Sequence, residues 1–474
     1  MTGHKLARVL VPLAMVAGAC SAGPGTAPSA ATTVTASSSA GDGTDPAGSI
    51  AGDWTGRIEI PGAPLAVGVT ITGADGSYAG TFDVPVQGLT GAPLTDVTVT
   101  GTTVGFGISQ IPGNPRFDGE FDGSRITGTF TQSGQAFPLD LSRGTVAAAA
   151  RPQEPRPPFP YDTEDVSYSG GVTIAGTLTT PPGDGPFPAV LLITGSGAQD
   201  RDETIAGHKP FLLIADTLTR AGYAVLRVDD RGIGGTGGVL AEAGYDDLAA
   251  DVAAGLQFLR ARPEIKADAV GLLGHSEGGY LAPLVAQTQA QKPDFVVLMA
   301  GPAVSGRDVL IEQNKLIMAA AGATPQQTDD QVAFVTRYAD LIIAGDFAGA
   351  TALAREQVTK AGGDASLAPD TANENMRALL AYDPAPALSA LTVPVLAVYG
   401  GRDLQVPPAQ SEPVLRSLLA ANPDATVQTF PTLNHLMQPA TTGSPTEYAA
   451  IETTIDPQVL ELYVSWLQQR FPPA

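Results

Sequence analysis

Three widely separated side chains, Ser276, Asp403 and His435, have the types and the order needed for acyl transfer through a covalent serine. A serine hydroxyl alone is a poor nucleophile. A histidine has to take its proton, and an acid has to fix the imidazole tautomer and stabilise its charged form. Ser276 lies in Gly274-His275-Ser276-Glu277-Gly278, between the apolar run Val270 to Leu273 and a helix-like segment. Gly-x-Ser-x-Gly in that context is a nucleophile elbow. The turn strains the serine backbone and lifts its hydroxyl above the sheet edge, and the flanking glycines let strand and helix pack closely. Asp403 follows the apolar run Val393 to Tyr399, and His435 follows Thr426 to Phe430. Each of the three therefore sits just past the carboxyl end of a different strand, where open parallel sheets place their sites. Of the 4 histidines, His4 lies in the amino-terminal leader and His275 reads as packed. His208 is a candidate supporting or substrate-binding group, and His435 is left as the base.

Acyl transfer also needs donors for the oxyanion. Pro188 to Thr194 is a continuous apolar run, as expected of a strand buried on both faces. It ends in Gly195-Ser196-Gly197. This loop is expected to offer the backbone N–H of Ser196 or Gly197, with the N–H of Glu277 as the second donor.

The elements that must hold these groups alternate. Val166 to Thr179 reads as two strands about Gly170-Gly171, and Phe211 to Arg220 as a helix. Strand Tyr223 to Val228 runs into Asp229-Asp230-Arg231-Gly232. A helix opened by Asp246 and Asp247 places Leu248, Val252, Leu256 and Leu259 at helical spacing. The strand 269–273, the helix 277–290 and the strand Phe295 to Ala300 follow. This order predicts a mostly parallel sheet with helices on both faces. The alternation breaks over about 303–389, which shows helical patterns and no strand. Such an insert is expected to cap the site, the alternative being a helical decoration elsewhere. Asp456 as N-cap and Pro457 at the first helical position open a closing helix, with Leu460, Val464 and Leu467 inward.

Ahead of this domain, residues 51–143 have the period-two pattern of short strands, with turn signals at Ala74-Asp75-Gly76, Pro112-Gly113-Asn114 and Asp122-Gly123. An antiparallel sandwich or small barrel is expected. It contains no histidine or cysteine. Trp54 and Tyr78 read as core or edge packing, or else as a ligand platform. Residues 144–163 are proline-dense and predict a semi-rigid extended spacer before the catalytic domain at 164–474.

These motifs together resemble a group of bacterial α/β-hydrolases that contains carboxylesterases and serine aminopeptidase-like proteins, some with an extra amino-terminal β domain. The resemblance rests on Gly274-His275-Ser276-Glu277-Gly278-Gly279, on Gly195-Ser196-Gly197 running on to Asp200-Arg201-Asp202-Glu203, and on Asp229-Asp230-Arg231-Gly232. Asp403-Leu404-Gln405-Val406-Pro407 and Leu433-Asn434-His435 complete it over roughly 160–474. Gly52-Asp53-Trp54-Thr55-Gly56 and Gly128-Thr129-Phe130-Thr131-Gln132 are similar to the β domain of that group. The resemblance implies hydrolysis of short-chain carboxylic esters, with no cofactor. Peptidase activity is the nearest alternative, with Glu277, Asp202 or Glu203 holding a free amine unless they pair with Arg201 or Arg231. A surface-binding lipoprotein with a vestigial hydrolase domain is the non-catalytic alternative.

The amino terminus reads as an export signal over 1–19: His4, Lys5 and Arg8, then the apolar run Val9 to Ala19, too short to span a bilayer permanently. Small residues precede Cys20, the single cysteine of the chain, as in a lipoprotein cleavage box, although Ala17 stands where a larger apolar residue is usual. Cys20 is thus the expected lipidation site, and an ordinary secretory signal is the alternative. Residues 20–50 are rich in Ser, Thr, Ala, Gly and Pro and read as a flexible tether to the outer face of the cytoplasmic membrane. With 48 acidic against 26 basic residues, the net charge of −22 argues against nucleic acid and against electrostatic adhesion to anionic lipid. One cysteine rules out an intrachain disulfide, and neither a metal-ligand cluster nor a phosphate-cradling loop is present.

Overall fold

The computed structural model describes residues 49–473 apart from 61–63, 75, 86–88, 109–110, 112–113, 133–134, 148–149, 361–364 and 369. The expected signal, most of the tether and Cys20 lie outside the described residues. The described residues divide into two compact units, one within 49–147 and the other within 150–473.

The smaller unit is a closed barrel of eight antiparallel strands, which decides between sandwich and barrel. The strands are β1 (Gly52–Ile58), β2 (Leu65–Ala74), β3 (Ser77–Val84), β4 (Leu89–Thr100), β5 (Thr103–Ile108), β6 (Arg116–Phe121), β7 (Arg125–Gln132) and β8 (Gln135–Arg143). Each pairs with the next, and β1 returns to pair with β8, so no edge remains open. The alternation puts Ile126 and Phe130 inside and leaves Arg125, Thr127 and Thr129 exposed. Trp54 is fully buried in this core, edge-on to Phe121 at 5.6 Å, and its Nε1–H donates to the Ile50 carbonyl at 2.9 Å. Its role is packing.

The larger unit is built on a second eight-stranded sheet. Its strands are β9 (Asp162–Ser169), β10 (Thr173–Thr180), β11 (Phe187–Ile193), β12 (Ala224–Val228), β13 (Ile265–His275), β14 (Val296–Met299), β15 (Val395–Gly400) and β16 (Ala425–Phe430). The spatial order is β16-β15-β14-β13-β11-β12-β10-β9, parallel from β16 to β12 and antiparallel over the last two. All seven residues of β11 are buried, because helices cover both faces. Helices α2 (Tyr245–Arg260), α3 (Gly278–Thr288) and α9 (Pro408–Leu418) close one face through Leu256, Tyr280 and Leu415. Helices α1 (Pro210–Arg220) and α10 (Pro457–Arg470) close the other through Phe211, Ile214, Tyr463 and Trp466. Asp456 caps α10 as the sequence requires, accepting the N–H of Gln458 at 2.9 Å.

Between β14 and β15 the described residues form five α-helices: α4 (Gly306–Ala320), α5 (Pro325–Ile343), α6 (Phe347–Lys360), α7 (Glu374–Ala381) and α8 (Ala385–Ser389). The first four carry a small core of their own around Phe334, Val335, Tyr338, Ile342 and Leu380. Ser305 and Asn373 cap α4 and α7, and Thr324 with Gln327 makes a capping box on α5.

The sequence predicts a semi-rigid extended spacer for the proline-dense stretch. From residue 151 onward it is strapped to the larger unit. The Arg151 guanidinium donates to the carbonyls of Ala206, Gly207, Ala449 and Ile451 at 2.8–3.2 Å. Gln153 donates to the Ile455 carbonyl at 2.8 Å and accepts the Thr454 N–H at 2.6 Å. Proline content fixed the extended backbone, and these two long polar side chains supplied the anchorage that composition does not reveal.

Candidate active site

Ser276 sits at the sharp turn from β13 into α3 with φ of 52°, in the left-handed region that a β-substituted residue rarely adopts. Its N–H donates to the Met299 carbonyl on β14 at 2.9 Å, which holds the turn against the neighbouring strand. The two elbow glycines are needed for space. A methyl on Gly274 would strike the Gly278 carbonyl, and one on Gly278 would strike the Ile193 carbonyl of β11.

Asp403 and His435 come together beyond β15 and β16. The Asp403 Oδ2 lies 2.8 Å from His435 Nδ1, and both side chains are buried. Asp403 Oδ1 accepts the N–H groups of Gln405 and Val406 at 2.7 and 2.9 Å, so the carboxylate is fixed before it meets the imidazole. That bond assigns the Nδ1 proton and leaves Nε2 as an acceptor. Nε2 is buried and has no hydrogen-bond partner among the described residues, Ser276 included. Such bonds are often long before substrate arrives. The loop carrying His435 is tied by Asn434, whose Oδ1 accepts the N–H groups of Leu436 and Gln438 at 3.0 and 2.9 Å.

The Gly195-Ser196-Gly197 loop divides in use. The N–H of Gly195 donates to Glu203 Oε1 at 2.7 Å. Among the described residues, the N–H groups of Ser196, Gly197 and Glu277 donate to no protein acceptor. Asp230 braces the loop, accepting the Thr194 hydroxyl and the Gln199 N–H at 2.8 Å each. Burial pushes its carboxyl up to about 8. Asp229 grips Arg201 through two ion-pair bonds at 3.1 and 2.6 Å and also accepts the Arg201 N–H at 2.9 Å. The two acid-rich motifs quoted from the sequence are therefore one brace, from the end of β12 to the end of β11.

The other charges pair differently from the expectation that joined Asp202, Glu203 or Glu277 to Arg201 or Arg231. Asp202 pairs with Arg227, and Arg231 with Asp251 at 2.6 Å. Glu203 pairs with His275 at 2.8 Å. Among the described residues Glu277 pairs with no cation. Its side chain is buried, its Oε1 has no partner among the described residues, and burial raises its carboxyl to about 7 against the opposing pull of the Tyr245 hydroxyl. His208 is not a substrate group. It is buried between the Thr454 hydroxyl and the Tyr448 carbonyl at 2.9 and 3.0 Å, and burial, aided by Arg151, lowers its pKa to about 4. No sequence signal marks the Glu203–His275 pair, because the partners lie on separate motifs.

A pocket of about 540 Å³ opens over Ser276, with Ser196, Glu277 and Tyr280 on its floor. Val309 and Leu310 of α4 and Met376, Leu379 and Leu380 of α7 form its apolar roof. The inserted helices thus cover the elbow. Gly197 lines a neighbouring cavity of about 660 Å³, which shares Glu277 with the first.

A mostly parallel sheet, a strained serine between strand and helix, and a helical insert over it define an α/β-hydrolase. Residues 209–438 of this chain match the family model for serine aminopeptidase, S33. Esterase EstD of Thermotoga maritima is 28% identical over 316 residues, 65% of this chain and 68% of that protein. Among solved structures, the Pyrococcus furiosus esterase Pf2001 is similar over 65% of this chain and 91% of its own, at 15% identity and a TM-score of 0.42. A dienelactone hydrolase from Anabaena variabilis covers 65% of this chain and 98% of its own, at 17% identity and a TM-score of 0.37.

Proposed function

We propose that the protein is a serine carboxylesterase that cleaves short-chain carboxylic esters through Ser276, His435 and Asp403. The observation that carries this reading is the buried Asp403–His435 bond of 2.8 Å, which leaves Nε2 unpartnered. In the first step the Ser276 Oγ attacks the ester carbonyl carbon while its proton passes to His435 Nε2. Asp403 stabilises the imidazolium. The tetrahedral oxyanion takes the N–H of Glu277 and that of Ser196 or Gly197. The C–O bond of the ester then breaks, and His435 gives its proton to the leaving alcohol. Water repeats the sequence on the acyl-enzyme and releases the acid. The relative named an esterase supports an ester as the group attacked. The apolar roof of the pocket over Ser276 supports a small acyl or alcohol group beneath it. The test is hydrolysis of p-nitrophenyl esters from acetate to palmitate beside Ser276→Ala. Activity should fade with acyl length and vanish in the variant, and equal turnover of acetate and palmitate would contradict the capped pocket.

One observation favours a second substrate class. Glu277 follows Ser276, lines its pocket, and its buried Oε1 has no partner among the described residues, so the α-ammonium of an aminoacyl ester or amide is a suitable partner. Aminoacyl p-nitroanilides assayed beside simple esters separate the two readings. For the amino terminus we propose export and lipidation at Cys20, which would tether the enzyme to the cell envelope. Two or more acyl chains, at about 0.8 kcal/mol per buried methylene, give stable anchorage. Loss of membrane association in Cys20→Ser is the expected result.

A further inference from the structure

Directly beneath the elbow lies an acid–histidine pair that the acyl-transfer steps above do not use. Glu203 and His275 are both fully buried, with Oε1 and Nδ1 2.8 Å apart. The other ring nitrogen, Nε2, lies 3.1 Å from the backbone carbonyl of His435. A carbonyl oxygen can only accept, so Nε2 carries a proton. Glu203 Oε1 accepts the Gly195 N–H at 2.7 Å and faces His275 Nδ1 at 2.8 Å. An imidazolium donating from both nitrogens to a carboxylate and a carbonyl satisfies every one of these contacts. Burial pulls the His275 pKa down, but the Glu203 carboxylate, the His435 carbonyl and Asp403 together outweigh it and the net direction is up.

We propose that Glu203 and His275 form a permanent buried ion pair that positions the catalytic groups: His275 is doubly protonated and ties the backbone of His435 to the loop that begins at Gly195. This role rests on the triad reading above. Three segments meet at the pair. Glu203 holds the first residue of the oxyanion loop, His275 adjoins Ser276 in the chain, and the His275 ring lies against that of His435 with centroids 4.7 Å apart. Glu203 has φ of 53°, so two strained residues, it and Ser276, frame the same junction. The other titratable groups acting on the pair are Asp403 and His435 on one side and Asp230 on the other. Because the pair is neutral as a whole, it adds little net charge when His435 becomes an imidazolium. Without the carboxylate, His275 would lose a proton, and a bare nitrogen would face either the His435 carbonyl or the residue at 203.

The test is histidine ¹⁵N NMR on the full chain between pH 6 and 9, read beside kinetics on p-nitrophenyl acetate. One histidine should keep both nitrogens protonated at pH 8, where an ordinary imidazole is neutral, and its signals should vanish in His275→Asn. Every histidine showing one bare nitrogen at pH 8 would overturn the ion pair. Glu203→Gln conserves shape and removes the charge. It should lower kcat about 100-fold with little change in KM, as expected of a base held out of line. Wild-type kcat in that variant, or a loss carried by KM alone, would overturn the positioning role. If Glu203→Gln does not fold, the wild-type spectrum still decides the proton count. Full activity in Ser276→Ala would sink the triad reading and the positioning role together, leaving the proton count to be judged alone.

Discussion

The barrel and the hydrolase unit are both eight-stranded, yet they bury different things. Inside the barrel the core is aliphatic and aromatic, from Trp54 through Phe106 and Phe117 to Leu141. Every buried polar or charged side chain among the described residues lies at Thr179 or later. Backbone strain divides in the same way. In the barrel, non-glycine residues with positive φ are Asp96 and Asn114, types that tolerate that region in turns and bulges. In the hydrolase unit they are Glu203, Ala206, Ser276, Ala300 and Met437, near the ends of the strands that carry the site. A fold that only has to close can satisfy each residue locally. One that has to hold the proposed base and acid beside a strained serine accepts buried charge and distorted turns, and compensates for them with hydrogen bonds from other segments.

Substitutions at corresponding depth should therefore have opposite signatures in the two units. The largest effect is expected at the acid and base. His435→Ala should lower kcat on p-nitrophenyl acetate by about 10⁴-fold or more, and Asp403→Asn by a similar order, with the melting temperature changed far less than activity. Trp54→Ala should do the reverse, costing about 3–5 kcal/mol in the chemical unfolding of the barrel while leaving kcat of the folded protein unchanged. A parallel loss of kcat in Trp54→Ala would break the comparison.

Glu277→Gln sharpens it further. With the carboxyl raised to about 7, the wild type carries a neutral side chain there in mild acid and a buried anion above neutrality. Because the folded-state value is raised, its contribution to stability is full below the ordinary carboxylate range and is lost as pH rises through about 7. The variant should keep ester turnover within about tenfold, since the N–H remains, and its stability should fall less between pH 5 and 8. Abolished ester turnover in a folded variant would give the carboxylate itself a role in ester cleavage.

The smallest effect is expected at His208, held neutral by burial with a pKa lowered to about 4. The unfolded chain takes up a proton as pH falls from about 6.5, and the folded chain resists until about 4, so stability declines across that window. Denaturant titrations at pH 7 and 5 should show a shallower decline in His208→Gln.

Much of this was legible in the sequence, for identifiable reasons. Local rules fix the elbow, because Gly274, Ser276 and Gly278 are each demanded by one turn. Asp403 and His435 were readable because both follow apolar strands in the order the chemistry needs. Period two gave the barrel strands, although closure depends on β1 meeting β8 across the whole domain. Pairings between distant segments were not legible. Glu203 and His275 are 72 positions apart, and Arg151 reaches carbonyls near 450, contacts that no local pattern encodes. The partners of Arg201 and Arg231 were open for the same reason. Each lay within reach of several acids in sequence, and only the folded sheet selects Asp229 and Asp251.

The most direct test of the central claim is covalent. The full chain would be treated with a fluorophosphonate that mimics the tetrahedral acyl intermediate, then digested and mapped by mass spectrometry. One adduct per chain, on Ser276, should form in the wild type together with loss of esterase activity, and should be absent or strongly slowed in His435→Ala. An adduct on any other residue, or an unmodified Ser276 in an inactivated enzyme, would contradict the account.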